Sequence, residues 1–211
     1  MTPEQTLDES PLISIWEAPR ETIRQIVSRD PSYGVTALFF AAGAVGALDG
    51  LAQIGERFTL PLMAVPVLCL LTGLVAIPLG HLSAWYKRLI GRLFGGQATQ
   101  REVVAVAAWA TVPTIVGHAA LWVIRFALYG TEILQPEHPT IDASPRIVQL
   151  SLGLAATGFS VWSIYVSIVG FAEVNRFSVA RSVATSLLTP VLILTTGVAI
   201  LVGVIMFRAS R

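Results

Sequence analysis

Five stretches of mostly apolar residues follow one another along this 211-residue chain. Each stretch is long enough to cross a bilayer, which takes about 20 such residues in a helix. The chain is 54% hydrophobic and 13% charged, whereas a soluble domain carries about 25% charged residues. No stretch alternates as the strands of a membrane barrel do. We therefore predict an all-α membrane protein with five transmembrane helices, at Val35–Gln53, Leu62–Trp85, Val103–Leu128, Ile147–Phe171 and Val183–Phe207.

The predicted spans differ in how clearly their sequences mark them. Thr99 and Glu102 form the pattern of a capping box ahead of the third span, directly after the flexible pair Gly95-Gly96. Pro66 and Pro78 predict a kink in the second span.

The distribution of Lys and Arg predicts the orientation, because these residues concentrate in cytoplasmic loops. If the N-terminus is inside, the inner side carries nine of them: Arg20, Arg24, Arg29, Lys87, Arg88, Arg92, Arg101, Arg176 and Arg181. The outer side then carries five: Arg57, Arg125, Arg146, Arg208 and Arg211. We predict a multi-pass protein of a bacterial cytoplasmic (inner) membrane, with its N-terminus inside and its C-terminus outside.

A charged segment, SIWEAPRETIRQIVSRDP, precedes the first span. Pro19 suits the first turn of a helix, and Ile23, Ile26 and Val27 would share one face. We predict that residues 11–31 form a short interfacial helix on the cytoplasmic membrane surface; a solvated linker is the alternative. Residues 1–10 are acidic, lack the Lys or Arg of a secretory signal, and are predicted to be disordered and uncleaved. The expected contacts with the membrane or a partner are Trp16, Pro19, Arg20 and Arg24.

Three strings resemble the bacterial branch of the Yip domain family: IWEAPRETIRQIV, GGQATQREVVAVAAWATVP and GFAEVNRFSVARSVATSLLTPV. The resemblance runs from about Leu12 to Phe207. It implies a five-helix membrane domain, here residues 32–208, and a cytoplasmic N-terminus. The motif positions that we single out are Gly95, Gly96, Pro113 and Glu173.

The chain also departs from the eukaryotic members of that family, which are named for their interaction with Rab-type GTPases. Those members carry an Asp-Leu-Tyr-Gly-Pro motif and a long cytoplasmic arm rich in tyrosine and proline, and this chain has neither. The resemblance therefore implies topology and membrane residence, and it implies no Rab binding and no reaction.

Ionisable residues within spans are costly, so each one suggests a functional site. At 1.5 Å per residue, Asp49 lies about 21 Å along its span and His118 about 22 Å along its own, both measured from the inner end. The two residues are predicted at one depth, with Thr195 and Thr196 of the fifth span as possible neighbours. The pair could be a proton- or ion-responsive couple, a structural hydrogen bond between two helices, or two residues that do not meet.

Small residues form two further stripes, Gly46 with Gly50 and Ser151 with Ala155 and Gly158. Such stripes allow close helix packing in lipid. We predict packing within the chain rather than a dimer seam.

Motifs for enzymatic chemistry are missing from the sequence. It has no His-Glu-x-x-His run, no Gly-x-Ser-x-Gly elbow, no phosphate-binding Gly-Lys-Ser/Thr loop, and a single cysteine. We predict a non-enzymatic scaffold or partner-binding protein without cofactor or metal. Its expected partners are the lipid bilayer and other membrane proteins, not nucleic acid. The sequence leaves open whether the protein forms a homo-oligomer. The alternative is a small transporter or lipid-handling protein that uses an intramembrane Asp49/His118 site.

The predicted topology is tested with cysteines placed in two loops. In whole cells, a cysteine at Glu137 should react with a membrane-impermeant thiol reagent, while one at Gln97 should not, because only the first loop is predicted outside. Cys69 should be replaced beforehand in both variants. Labelling at Gln97 alone would show that the orientation is inverted.

Overall fold

The protein is all-helical over the residues that its structure, a computed structural model, describes: 10–55, 58–59, 61–137 and 139–209. Five helical segments in this part are long and apolar enough to cross a membrane, as predicted. The predicted disordered segment 1–10 lies outside the described residues except for Ser10. The helices are α1 (Pro11–Glu17), α2 (Pro19–Arg29), α3 (Val35–Gly55), α4 (Ala64–Leu93), α5 (Gln100–Trp109), α6 (Val112–Tyr129), a 3-10 turn (Gly130–Leu134), α7 (Pro139–Ala143), α8 (Arg146–Asn175) and α9 (Val179–Ala209).

The third span, α5 and α6 together, is the most enclosed of the five. In its apolar stretch 56% of residues are buried, against 6–22% in the other spans. Helix α3 packs on α4, α4 on α9, α9 on α8, and α8 on α6. The third span also contacts α3, α4 and α8, and it forms the centre of the bundle.

The third span is not the single helix that we predicted over Val103–Leu128. Its start is as expected, since the capping box is present, with Glu102 N–H 3.3 Å from Thr99 Oγ1 and Thr99 N–H 2.6 Å from Glu102 Oε2. The helix then breaks at Ala110–Thr111, because Pro113 has no N–H to continue the ladder. Ser163 of α8 accepts from the Thr114 N–H at 3.0 Å and satisfies one donor of the new helix.

The segment before the first span forms two helices, because Ala18 leaves the helical region (φ −132°, ψ 62°) ahead of Pro19. Helix α2 packs on α8 and α5. Its apolar face is buried there, with Ile23 0% and Ile26 5% exposed. This face therefore contacts protein, and the position of the segment on the cytoplasmic membrane surface stays a prediction. The amphipathic pattern of a helix is the same whether its apolar face packs on protein or on lipid.

Close helix contact occurs at glycines other than those we predicted. A Cβ on Gly43 of α3 would collide with the Ala76 side chain and lie 2.6 Å from the Thr72 carbonyl of α4. A Cβ on Gly46, Gly50 or Gly158 would meet nothing within 4 Å. The predicted close packing at these stripes is not observed. On α3, the side of the helix that faces α4 carries Gly43 rather than Gly46.

Alanine substitution at Gly43 should therefore destabilise the protein, while the same change at Gly46 should not. Overpacking against fixed backbone costs about 1–3 kcal/mol, and alanine in open space gains up to about 1 kcal/mol of helix propensity. Thermal unfolding in mild detergent measures both variants. Equal melting temperatures for Gly43→Ala and Gly46→Ala would contradict the observed contact.

Candidate functional site

Asp49 of α3 meets two side chains from one face of α6. His118 Nδ1 lies 2.9 Å from Asp49 Oδ2, and the Trp122 indole N–H donates to Asp49 Oδ1 at 2.9 Å. The two partners are four residues apart, so they project from successive turns of the helix. Both carboxylate oxygens are thus held by α6, and Asp49 and His118, which residue counting put at one depth, are in contact.

His118 links this site to a third helix. Its Nε2 lies 3.3 Å from the Ala156 carbonyl and 3.3 Å from Ser160 Oγ, both on α8. The Ala156 carbonyl can only accept a hydrogen bond, whereas the Ser160 hydroxyl can donate or accept. The Ser160 hydroxyl donates to the Ala156 carbonyl at 3.0 Å, so His118, Ser160 and Ala156 form one hydrogen-bonded group between α6 and α8.

Arg125, one turn beyond Trp122 on α6, adds a positive charge to the site. Its guanidinium lies 5.4 Å from the Trp122 ring centroid, and one nitrogen lies 3.9 Å from Asp49 Oδ1. The Asp49 side chain is 36% exposed and the His118 side chain 14%. The result is a half-buried polar cluster, Asp49, His118, Trp122 and Arg125, which we call the Asp49 cluster.

Thr195 and Thr196 were predicted as possible neighbours of this pair, and the structure places them elsewhere. Both hydroxyls donate to the Leu192 carbonyl of their own helix, α9. Thr195 is exposed. Helix α9 packs on α4 and α8, while the Asp49 cluster lies between α3 and α6. Residues at equal depth on two different helices are not neighbours unless the helices pack on each other.

A second group of predicted residues joins the N-terminal helices to the bundle. Pro19 is buried, and Trp16 packs edge-on to Phe159 of α8 with 6.2 Å between ring centroids. Ile23 lies over Gly170, where a Cβ would come within 3.2 Å of its Cγ1. Thr22 on α2 donates to Ser14 Oγ of α1 at 3.0 Å.

Arg20 and Arg24 share one carboxylate at the edge of this contact. Arg24 Nε donates to Glu173 Oε1 at 2.8 Å, and Arg20 Nε lies 3.3 Å from Glu173 Oε2. The hydrogen bond to Glu173 raises the pKa of the Arg24 guanidinium above its usual value. Both arginines are about half exposed, so each pair contributes at most about 1 kcal/mol. We call α1, α2 and the α8 end that holds Gly170 and Glu173 the docked N-terminal platform.

The remaining motif positions support the same end of the bundle. Gly95 adopts φ +83°, which favours glycine, and a Cβ on Gly96 would collide with Asn175 Oδ1. That oxygen accepts from the Ala98 N–H at 3.3 Å, which ties the loop to α8. Pro113, fully buried, marks the break between α5 and α6. Gly96 and Asn175 thus pin the α4–α5 loop.

Comparison with protein families shows what these positions have in common. The Yip1 domain model matches residues 13–201. The chain belongs to the Yip1 domain family. Comparisons with curated proteins and with solved structures found no match. The matched range starts within α1, so the Yip1 domain of this protein includes most of its docked N-terminal platform together with the five spans.

Two residues at this site of the Yip1 protein were not predicted from the sequence: Trp122 of the Asp49 cluster, and Ser160, which contacts His118. Trp122 was recoverable, because it follows His118 by four residues and an indole N–H seeks an acceptor. Ser160 was not, since serine is common in membrane helices and nothing in the sequence indicates that α8 adjoins α6 at that point.

Asparagine and alanine at Asp49 should have different effects on stability. Alanine leaves the Trp122 N–H and one His118 nitrogen without partners, at a cost of about 1–3 kcal/mol. Asparagine keeps an acceptor for Trp122 and offers an N–H to His118, so its effect should stay below about 1 kcal/mol. Thermal unfolding in detergent distinguishes them. An Asp49→Ala variant as stable as Asp49→Asn would show that these hydrogen bonds contribute nothing.

Proposed function

We propose that this Yip1 protein is a non-enzymatic scaffold of a bacterial inner membrane, with its N-terminus in the cytoplasm. In this proposal the docked N-terminal platform is the surface that binds a partner protein. The inner-side excess of Lys and Arg, nine against five, supports the orientation. The partner would then approach from the cytoplasm.

The observation that carries the proposal is the burial of one face of α1 and α2 against the bundle. Ile15 and Ile23 are both 0% exposed, so the short helices have a fixed position against the bundle. Their opposite face presents exposed residues, among them Glu17, Ser28 and Arg29. A preorganised surface binds with less loss of conformational entropy than a flexible arm would.

The hydrogen bonding of the Asp49 cluster supports a structural role for its side chains in this proposal. The Asp49 cluster has its hydrogen bonds satisfied by neighbouring helices, as a structural contact between helices requires.

The proposed partner surface is tested by photo-crosslinking in cells. A photoreactive residue at Ser28, on the exposed face of α2, should give protein adducts, whereas one at Leu154, which is 72% exposed on α8, should give lipid adducts. Glu173→Lys places a like charge beside Arg20 and Arg24 and should weaken the Ser28 adducts. Asp142→Lys makes the same charge change on α7 and should leave them intact.

Absence of protein adducts at Ser28 would contradict the scaffold. Adducts that survive Glu173→Lys unchanged would show that the partner does not need the docked position of α2.

A transporter is the rival function, and the Asp49–His118 contact between spans favours it. Proton relays in membranes use such Asp and His pairs. The test is complementation of a deletion phenotype by Asp49→Asn, which removes the ionisable carboxyl and keeps the hydrogen bonds. We expect full complementation. Failure of Asp49→Asn and of His118→Gln, with no further loss in the double variant, would favour transport.

A further inference from the structure

A groove with a volume of about 400 Å³ lies between α4, α8 and α9, and its lining residues differ from those of the two sites described above. Among the described residues that line it, Lys87 of α4 alone carries a charge. The α8 wall contributes Ser167, and the α9 wall contributes Ser186 and Thr189. The groove therefore combines one cation with several hydroxyl groups inside an otherwise apolar surface.

Lys87 has few partners for its ammonium group. It donates to Ser167 Oγ at 2.6 Å and lies 4.8 Å from the Phe171 ring centroid. None of the ion pairs found among the described residues involves Lys87. An ammonium group has three N–H donors, so two remain for an anion that the described part of the chain does not supply.

Ser186 supplies a second unused polar group. Its Oγ is buried and has no hydrogen-bond partner in the described part of the chain. Buried hydroxyl groups are rarely left unpaired in native proteins. Ser186 and Lys87 line the same groove from different helices, so a ligand with several acceptor oxygens could accept from both.

The depth of Lys87 fits the headgroup region of a bilayer. It lies about 9 Å before the end of α4 at Leu93, and thus about 13 Å from the middle of this helix. The hydrocarbon core is about 30 Å thick, so Lys87 sits close to its edge. This end of α4 is the one that adjoins the docked N-terminal platform, since a Cβ on Gly91 would contact Phe171 and Asn175 of α8.

The groove also opens toward the side of the bundle where the acyl chains of surrounding lipid would lie. Ile164 is 57% and Leu187 67% exposed at its walls. Apolar side chains with this exposure in a membrane helix face lipid. A ligand held by its anion at Lys87 would therefore extend an apolar tail along these residues.

We propose that the groove binds one anionic phospholipid. The phosphate accepts hydrogen bonds from Lys87 and from the Ser186 hydroxyl, and an acyl chain lies along Ile164 and Leu187. Basic pockets between membrane helices recognise acidic headgroups in this way. A free phosphate ion has the same headgroup chemistry, but the lipid-facing walls favour a ligand with a tail. This inference is independent of the scaffold function.

The test is native mass spectrometry of the full chain in mild detergent, titrated with phosphatidylglycerol or with phosphatidylcholine. The wild type should bind one phosphatidylglycerol in preference to phosphatidylcholine. Because a basic residue near the surface contributes about 1 kcal/mol to binding acidic lipid, Lys87→Met should weaken this binding about fivefold. Arg92→Met, which removes an exposed charge further along α4, should leave it unchanged.

Two further variants separate binding from folding. Lys87→Arg keeps the charge and should retain the preference, while Ser186→Ala removes one donor to the phosphate and should weaken phosphatidylglycerol binding without abolishing its preference over phosphatidylcholine. Equal losses in Lys87→Met and Arg92→Met would show a general basic surface and overturn the site. Displacement of the lipid by millimolar inorganic phosphate would assign a soluble anion and overturn the lipid.

Discussion

The position of α2 on the bundle depends on the contact between Ile23 of α2 and Gly170 of α8. A Cβ on Gly170 would lie 3.1 Å from Val106 Cγ1 of α5 and 3.2 Å from Ile23 Cγ1, so a larger side chain would press on both α5 and α2. Glu173, almost one turn further along α8, then receives Arg20 and Arg24. Apolar packing supplies the main free energy, and the exposed ion pairs mainly orient the helix.

Much of the fold is readable from hydropathy because each span must satisfy its own backbone hydrogen bonds in lipid. The five spans followed from this rule, and the capping box at Thr99 followed from the spacing of Thr99 and Glu102. The N-terminal segment did not, since Ile23 and Ile26 would give the same pattern on lipid or on protein. The break at Pro113 had a visible cause, but proline often remains inside membrane helices, as Pro78 and Pro190 do here.

At the candidate sites too, the sequence predicted how far along its helix a residue lies, but not which neighbouring helix it faces. Residue counting gives depth along a helix, and this placed Asp49 level with His118 before their contact was observed. It gives no information on which helices are neighbours, and for that reason Thr195 and Thr196 were assigned to the wrong place. The groove at Lys87 requires α4, α8 and α9 to meet, and no single stretch of the sequence predicts that contact. The membership in the Yip1 domain family was recognisable from motifs whose physical roles became clear only in the packed structure.

The central claim is that α2 is docked on protein rather than adsorbed to lipid. Hydrogen exchange of residues 19–29 tests it most directly, measured in nanodiscs of zwitterionic lipid and compared with nanodiscs of anionic lipid. Docking predicts strong protection in both lipids, and its loss in a Gly170→Leu variant that displaces Ile23. Protection that appears only with anionic lipid, and that persists in Gly170→Leu, would contradict the account and return α2 to the membrane surface.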